Sequence, residues 1–304
     1  MNYLSDAEET LDYILFAQHG WADTNHSITR FAQALADDDG ITVISPNLGF
    51  YRTWWRIAPL INQVEQIAAE HFELRDRVPK RIIGHSMGGL IWLEVLHRHP
   101  DWWSQVDSLS LVGSPVGGAD LGRLFDPLQW GIGIARDLGI NRRPIAERIA
   151  QQIPTQVIAS DLDGGSDGTV PLQCSKFRYA QYVQLAGIHH DQLKHHPEVA
   201  KAIQQFWQAP RTVALADFEN ALIVEQLQAI PGMTDAHYRD FAKASVWATL
   251  PNGATLRTWQ NVANIHHVFL ADAQGVCQFA GFVGWLHTKA LYQALERISK
   301  SLIN

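Results

Sequence analysis

The stretch Arg81–Trp92, RIIGHSMGGLIW, constrains the fold more than any other part of this 304-residue chain. An apolar run of strand length meets a glycine-rich turn carrying Ser86, and an apolar helical pattern follows at once. Gly84-His85-Ser86-Met87-Gly88 fits the G-x-S-x-G pattern of a nucleophile elbow. The spacing has a steric reason. A serine on a sharp strand-to-helix turn sits on strained backbone, so nearby positions must lack side chains for the chain to pass closely. Such a turn holds the hydroxyl above the sheet edge. The helix behind it, expected over about Met87–His99, offers unpaired N–H groups and the positive end of a dipole. Gly89 stands where close helix–sheet packing wants a glycine. The plainer reading is an ordinary strand–turn–helix with a solvated serine, and the apolar runs on both sides argue against it.

The flanking chain repeats the same alternation. Strands are expected at Tyr13–Ala17, Ile41–Pro46, Lys80–Ile83, Ser108–Gly113, Thr155–Ser160 and Tyr182–Leu185. Between them lie helical patterns from Thr24 or Asn25 to Leu35, from about Thr53 to Phe72, and from Pro197 to Trp207. Asp37–Gly40 closes the first of these, and Pro59 implies a kink or two segments in the second. Residues Gly117–Ile153 read as irregular, with apolar stretches such as Trp130–Ile134. Short apolar strands alternating with helices predict a parallel sheet covered on both faces, with its functional groups beyond the carboxyl ends of the strands.

After Pro210 the pattern changes. Phe218–Ile230, Tyr238–Trp247 and Trp285–Ile298 read as helices, and Val268–Phe279 as a β-hairpin turning at Asp272–Gly275. The expected division is residues 1–209 for the α/β unit, with an insertion at about 117–153, and 210–304 for a small α+β domain.

Charge and cysteine content narrow the function classes. With 24 basic against 31 acidic residues the net charge is -7, and there is no basic cluster, which speaks against nucleic-acid binding. The two cysteines, Cys174 and Cys277, have no metal-ligand spacing, and a reduced, cytoplasmic setting fits them. Met1–Glu9 lacks the basic and apolar regions of a secretory signal, and no run of about 18 apolar residues could span a membrane. No dinucleotide or phosphate-loop fingerprint is present, so no cofactor is expected. Most of the 11 tryptophans are expected in core or cleft walls.

A serine hydroxyl needs a base to become a nucleophile, and the base needs an orienting partner. The acid is sought after the fifth strand, in Asp161–Pro171. Asp167 leads there, held just before a fixed Pro171 turn, with Asp163 and Asp161 as alternatives. Calcium binding by that loop is disfavoured, because Gly165 stands where a ligand belongs and no glutamate closes the loop. The base is sought after the sixth strand, among His189, His190, His195 and His196. His190 is favoured and His189 is the alternative one residue away. The adjacent pairs lack the i, i+4 spacing of a helical metal site. For an oxyanion, the two backbone donors are expected to be the N–H of Met87 and the N–H of Trp21, with Gly20 allowing close approach and His19 pinning the loop.

On these pieces the sequence resembles the α/β-hydrolase superfamily, in its lipase- and esterase-like branch. The resemblance rests on His19-Gly20-Trp21, Gly84–Gly89, Gly113-Ser114-Pro115, Asp167–Pro171 and His190, in the order Ser, Asp, His, and covers about residues 10–208. It implies an α/β-hydrolase fold with Ser86 as nucleophile, Asp167 as acid and His190 as base. It implies Trp21 and Met87 as oxyanion donors, and a cap or lid at residues 117–153. The chain starts almost at the first expected strand, which implies a reduced, six-stranded, mostly parallel sheet flanked by helices. The implied activity is hydrolysis of small or lipid-like carboxylic esters through an acyl-enzyme. A thioesterase, an amidase, or a binding protein on the same scaffold are the alternatives. The resemblance does not extend to residues 210–304.

Overall fold

Six apolar runs become six strands: β1 (Ile14–Gln18), β2 (Thr42–Ile44), β3 (Lys80–His85), β4 (Val106–Val112), β5 (Thr155–Asp161) and β6 (Gln181–Ala186). The computed structural model describes residues 13–36, 41–118, 133–213 and 220–303. The strands pair in the order β2-β1-β3-β4-β5-β6, and every pairing is parallel. From β1 the chain steps outward to β2 and then returns to β3 on the other side of β1. That reversal opens a crevice at the carboxyl ends of β1 and β3, where Gln18 lies in register with Gly84.

Both faces of this sheet are covered, for a reason visible along β1. Successive side chains of a strand point to opposite faces. Ile14 and Phe16 join one core, while Leu15 and Ala17 join the other. The first core is built with α2 (Ala58–Leu74) and α3 (Met87–Arg98), and Trp92 of α3 is fully buried with its ring 4.9 Å from that of Phe16. The second is built with α1 (His26–Leu35) and the helix Pro197–Gln208. Pro59 sits in the first turn of α2, and a separate 3₁₀ turn, Phe50–Trp54, precedes it. The pattern from Thr53 to Phe72 is therefore two segments.

Within the expected insertion, α4 (Ile134–Leu138) and α5 (Arg143–Ala150) are helical. Ile149 and Ala150 are buried, so this part is more ordered than its glycines and prolines imply. Residues 119–132, including most of the apolar run at Trp130–Ile134, lie outside the described residues, as do Asp37–Gly40 and Phe218. After β5 come α6 (Leu172–Ser175), β6 and α7, the Pro197–Gln208 helix named above.

The second half builds its own sheet. β7 (Met233–Asp235), β8 (Ser245–Thr249), β9 (Thr255–Gln260), β10 (His266–Ala271) and β11 (Cys277–Val283) pair antiparallel in the order β7-β11-β10-β9-β8. α8 (Ala221–Gln228) and α9 (Thr288–Ile303) contribute Leu227, Leu291 and Leu295 to a core with Leu256 and Phe279. The hairpin expected at Val268–Phe279 is β10–β11. The helix expected at Tyr238–Trp247 is not formed. A 3₁₀ turn at Phe241–Lys243 is followed by edge strand β8, because Ser245–Thr249 is rich in strand-favouring residues and finds its backbone partners on β9. Trp247 packs on Tyr292, Trp259 on His267, and the Trp285 indole donates to the Ala263 carbonyl, all within this half.

The elbow depends on missing Cβ atoms. A Cβ on Gly84 would lie 2.4 Å from the Gly89 Cα, one on Gly88 2.3 Å from the Gln18 carbonyl oxygen, and one on Gly89 2.2 Å from the Ser114 hydroxyl. Two of these three neighbours are backbone and cannot swing aside. Gly88→Ala is expected to destabilise the fold by ~1–3 kcal/mol through overpacking. Urea unfolding measures this directly, and a midpoint unchanged from the parent would show that α3 is not clamped against β1.

Candidate active site

Ser86 links β3 to α3 with φ 55° and ψ -124°, a region that residues with a Cβ rarely enter. Its N–H donates to the Val112 carbonyl at 2.8 Å, which ties the strained turn to β4. The position leaves Oγ above the carboxyl end of the sheet, and Oγ lies 3.0 Å from Nε2 of His190.

His190 belongs to the loop beyond β6. Its Nδ1 lies 2.7 Å from Oδ2 of Asp167, which is 2% exposed. A carboxylate accepts only, so Nδ1 carries the proton and Nε2 presents its lone pair to the serine hydroxyl. The other carboxylate oxygen of Asp167 accepts from the N–H groups of Thr169 and Val170 at 3.0 and 2.7 Å. The His190 N–H donates to the Asp167 carbonyl at 3.0 Å. A hydroxyl, an imidazole and a carboxylate in this order can pass a proton from Oγ to the ring and hold the resulting cation.

The alternative residues serve elsewhere. Oδ1 of Asp161 accepts from the N–H groups of Gly164 and Gly165, both at 2.8 Å, and Asp163 holds Ser166 and pairs with Arg239 at 3.3 Å. His189 and His195 are exposed, and His196 caps α7 by accepting from the Glu198 N–H.

On the other side of Ser86 lies the loop after β1. A Cβ on Gly20 would lie 2.8 Å from the serine Cβ, so the glycine lets this loop reach the hydroxyl. Trp21 follows it. Met87 is the first residue of α3, where a backbone N–H has no partner within the helix. His19 is fully buried; its Nδ1–H donates to the Gly20 carbonyl and its Nε2 accepts from the Leu48 N–H, both at 3.0 Å.

Several supports escaped the sequence reading. Ala22 adopts φ 51°, and its N–H donates to the hydroxyl of buried Thr53, whose own proton goes to the Phe50 carbonyl. The 3₁₀ turn thereby braces the Gly20–Ala22 loop, and the Trp54 ring lies 4.2 Å from that of Trp21. Lys194 pairs with Asp23 at 2.6 Å, joining the loop beyond β6 to the loop beyond β1. Buried His85 donates from Nε2 to the His190 carbonyl at 2.9 Å. From the second half, the Tyr238 hydroxyl donates to Asp161, and Tyr238 backbone packs against Gly165. None of these has a sequence signature, although His85 occupies the variable position of the motif itself.

Six parallel strands in this order, covered by helices on both faces, with a strained serine after the third strand, define an α/β-hydrolase. Within that class the chain belongs to the esterase family: the family model described as "Putative esterase" matches residues 2–208. No curated protein sequence matches the chain. Among solved structures, the propeptide form of the lipase BlEst2 from Bacillus licheniformis is similar in fold, with a TM-score of 0.54 and 14% identity over 70% of this chain and 54% of that one. The mature form of the same lipase gives 0.49 and 15% over 70% of this chain and 96% of that one. Est1E from Butyrivibrio proteoclasticus, bound to ferulic acid, gives 0.49 and 15% over 65% of this chain and 89% of that one. Among the described residues, no helix is long and apolar enough to cross a membrane.

His19 and His85 make a pH-dependent contribution to stability. Burial, the largest influence on each, pushes both below the ordinary value of 6.5, His85 well below it. Each is therefore neutral in the folded protein where the unfolded chain has begun to bind a proton. Below 6.5 the unfolded state holds more protons, so stability falls as pH falls. The expected slope is at most about 1.4 kcal/mol per pH unit per histidine below that point, fuller for His85 than for His19, and it fades as pH rises above that point. Chemical denaturation from pH 8 to 5 measures it, and His19→Gln is expected to flatten part of the slope. An unchanged slope in that variant would remove His19 from the account.

Proposed function

We propose that this protein is a serine hydrolase of carboxylic esters, working through an acyl-enzyme on Ser86. The observation that carries the reading is the 3.0 Å and 2.7 Å sequence from Ser86 through His190 to Asp167, in the switch-point crevice of an esterase-family chain. In the first half-reaction Oγ attacks the ester carbonyl carbon while Nε2 of His190 takes the hydroxyl proton. Negative charge develops on the carbonyl oxygen, where the N–H groups of Met87 and Trp21 stabilise it, each such donor being worth ~3–4 kcal/mol. The intermediate then collapses, and the departing alkoxide leaves as an alcohol with the proton from His190. In the second half-reaction water attacks the acyl carbon, again with His190 as base, and releases the acid and the serine. Asp167 keeps the imidazole in the productive tautomer and stabilises the imidazolium formed twice per turnover.

The surroundings favour an apolar acyl group. Phe50, Tyr51, Trp54 and Trp55 are exposed together beside the Trp21 loop, with Tyr51 80% and Trp55 74% exposed. No cofactor is needed for this chemistry. We further take residues 1–209 as the catalytic unit, 117–153 as its cap, and 210–304 as an added α+β domain. A cytoplasmic setting fits Cys174 and Cys277, which form no disulfide.

Hydrolysis of p-nitrophenyl esters with acyl chains from acetyl to palmitoyl tests the reading. Ser86→Ala is expected to lower kcat by at least ~10⁴-fold, and Asp167→Asn by about 10⁴-fold with little change in KM. Turnover that survives Ser86→Ala, or a folded parent protein that hydrolyses none of the esters, would refute the assignment.

A further inference from the structure

A cavity of about 520 Å³ lies between the β5–β6 side of the first sheet and α8 of the second half. Neither Ser86 nor His190 lines it. Its walls include Val157, Phe177 and Ala180 on one side and Ala221 and Val224 on the other. Such an apolar pocket with a few converging polar groups is the ordinary form of a small-molecule site.

The polar groups are unevenly committed. Arg143 donates to Asp235 at 2.5 Å and to the carbonyls of Gln173 and Lys176 at 2.7 and 2.8 Å. Arg178 holds Glu147 at 2.5 Å and Glu225 at 2.7 Å. The lining carboxylates are therefore already matched to a guanidinium. Lys176 is not matched: among the described residues its ammonium has no carboxylate within ion-pair distance, and it lies 4.8 Å from the centre of the Tyr182 ring. The Tyr182 hydroxyl and the Gln173 side-chain nitrogen are buried with no hydrogen-bond partner. Burial, its largest influence, raises the Tyr182 phenol well above its ordinary value, so it stays protonated and able to donate. Burial likewise weakens the hold of Lys176 on its proton, as expected of a cation lacking an anion.

Among the described residues Lys176 is thus the one lining cation with no carboxylate partner, while the two lining carboxylates, Glu147 and Glu225, are both held by Arg178. A largely buried ammonium without a counter-charge is uncommon in folded proteins, and a ligand that brings a carboxylate would satisfy it. One unmatched cation among apolar walls suits a singly charged head on an apolar body, whereas a phosphate dianion would want further positive charge. We propose that this cavity binds a small amphiphilic carboxylate, with the carboxylate against Lys176 and the chain against Val157, Phe177 and Val224. The site spans both halves of the chain, and it stands independently of the chemistry assigned to Ser86.

Titration calorimetry of the full-length protein with octanoate, and with 1-octanol as its uncharged counterpart, tests this. Octanoate is expected to bind, and octanol at least about tenfold more weakly, as loss of one charge-assisted contact implies. Lys176→Met is expected to weaken octanoate about tenfold and leave octanol unchanged, and Val224→Trp to weaken both by filling the cavity. Direct binding is the readout, so the result does not depend on whether Ser86 hydrolyses esters. Octanoate affinity that survives both substitutions, octanol binding as tight as octanoate, or no octanoate binding to the folded parent would each overturn the proposal. If Lys176→Met fails to fold, Val224→Trp decides the outcome.

Discussion

The backbone of Ser86 is the constraint on which the site is built. Its positive φ costs on the order of 1–3 kcal/mol and persists only where the surroundings over-determine it. Here they do so on three sides. Its N–H is fixed to β4, the following helix is driven into β1 with no Cβ between them, and Trp92 anchors that helix in the core. The strain is local, while its support is spread through the first sheet. The same feature that raises the hydroxyl out of the sheet also brings the N–H of Met87 beside it, so the hydroxyl's position and the proposed oxyanion donor come from one turn.

The remaining groups arrive on loops, which are the least constrained parts of a parallel sheet, and they are held by contacts between loops. Asp23 and Lys194 join the loops beyond β1 and β6, His85 meets the carbonyl of His190, and Asp167 meets both the backbone and the ring of His190. Thr53 fixes the Trp21 loop from a third direction. Each of these contacts is buried or half-buried, where a hydrogen bond resists competition from water. On the proposed chemistry, preorganisation of this kind keeps the donors and the base in place before any substrate arrives.

The readable parts of the sequence were those governed by short-range rules. Glycines spaced around Ser86 report a steric need, and apolar runs of strand length report burial on both faces, so the elbow and six strands were legible. Asp167 and His190 were legible as loop positions in order along the chain, although spacing alone left His189 open. The contacts that hold them were not, because Asp23–Lys194 and Tyr238–Asp161 join residues far apart in sequence with no local pattern at either end. The helix expected at Tyr238–Trp247 failed for a related reason. An edge strand such as β8 is decided by the backbone partner that β9 offers, and helical periodicity in a short window cannot report that partner.

The family match stops at residue 208, yet the fabric of the acid loop does not. Tyr238 and Arg239 grip Asp161 and Asp163 a few residues before Asp167, and Asp235 neutralises Arg143, which is 5% exposed. Chain severed after residue 208 would keep every residue of the hydrolase motif and still lose the counter-charge of a buried guanidinium, a loss worth about 3–5 kcal/mol when one partner of such a pair is removed. The hydrolase half is therefore no detachable cassette. Its borders in sequence and its borders in mechanical support fall at different places, and the second sheet acts as a buttress for the loops that carry the proposed chemistry.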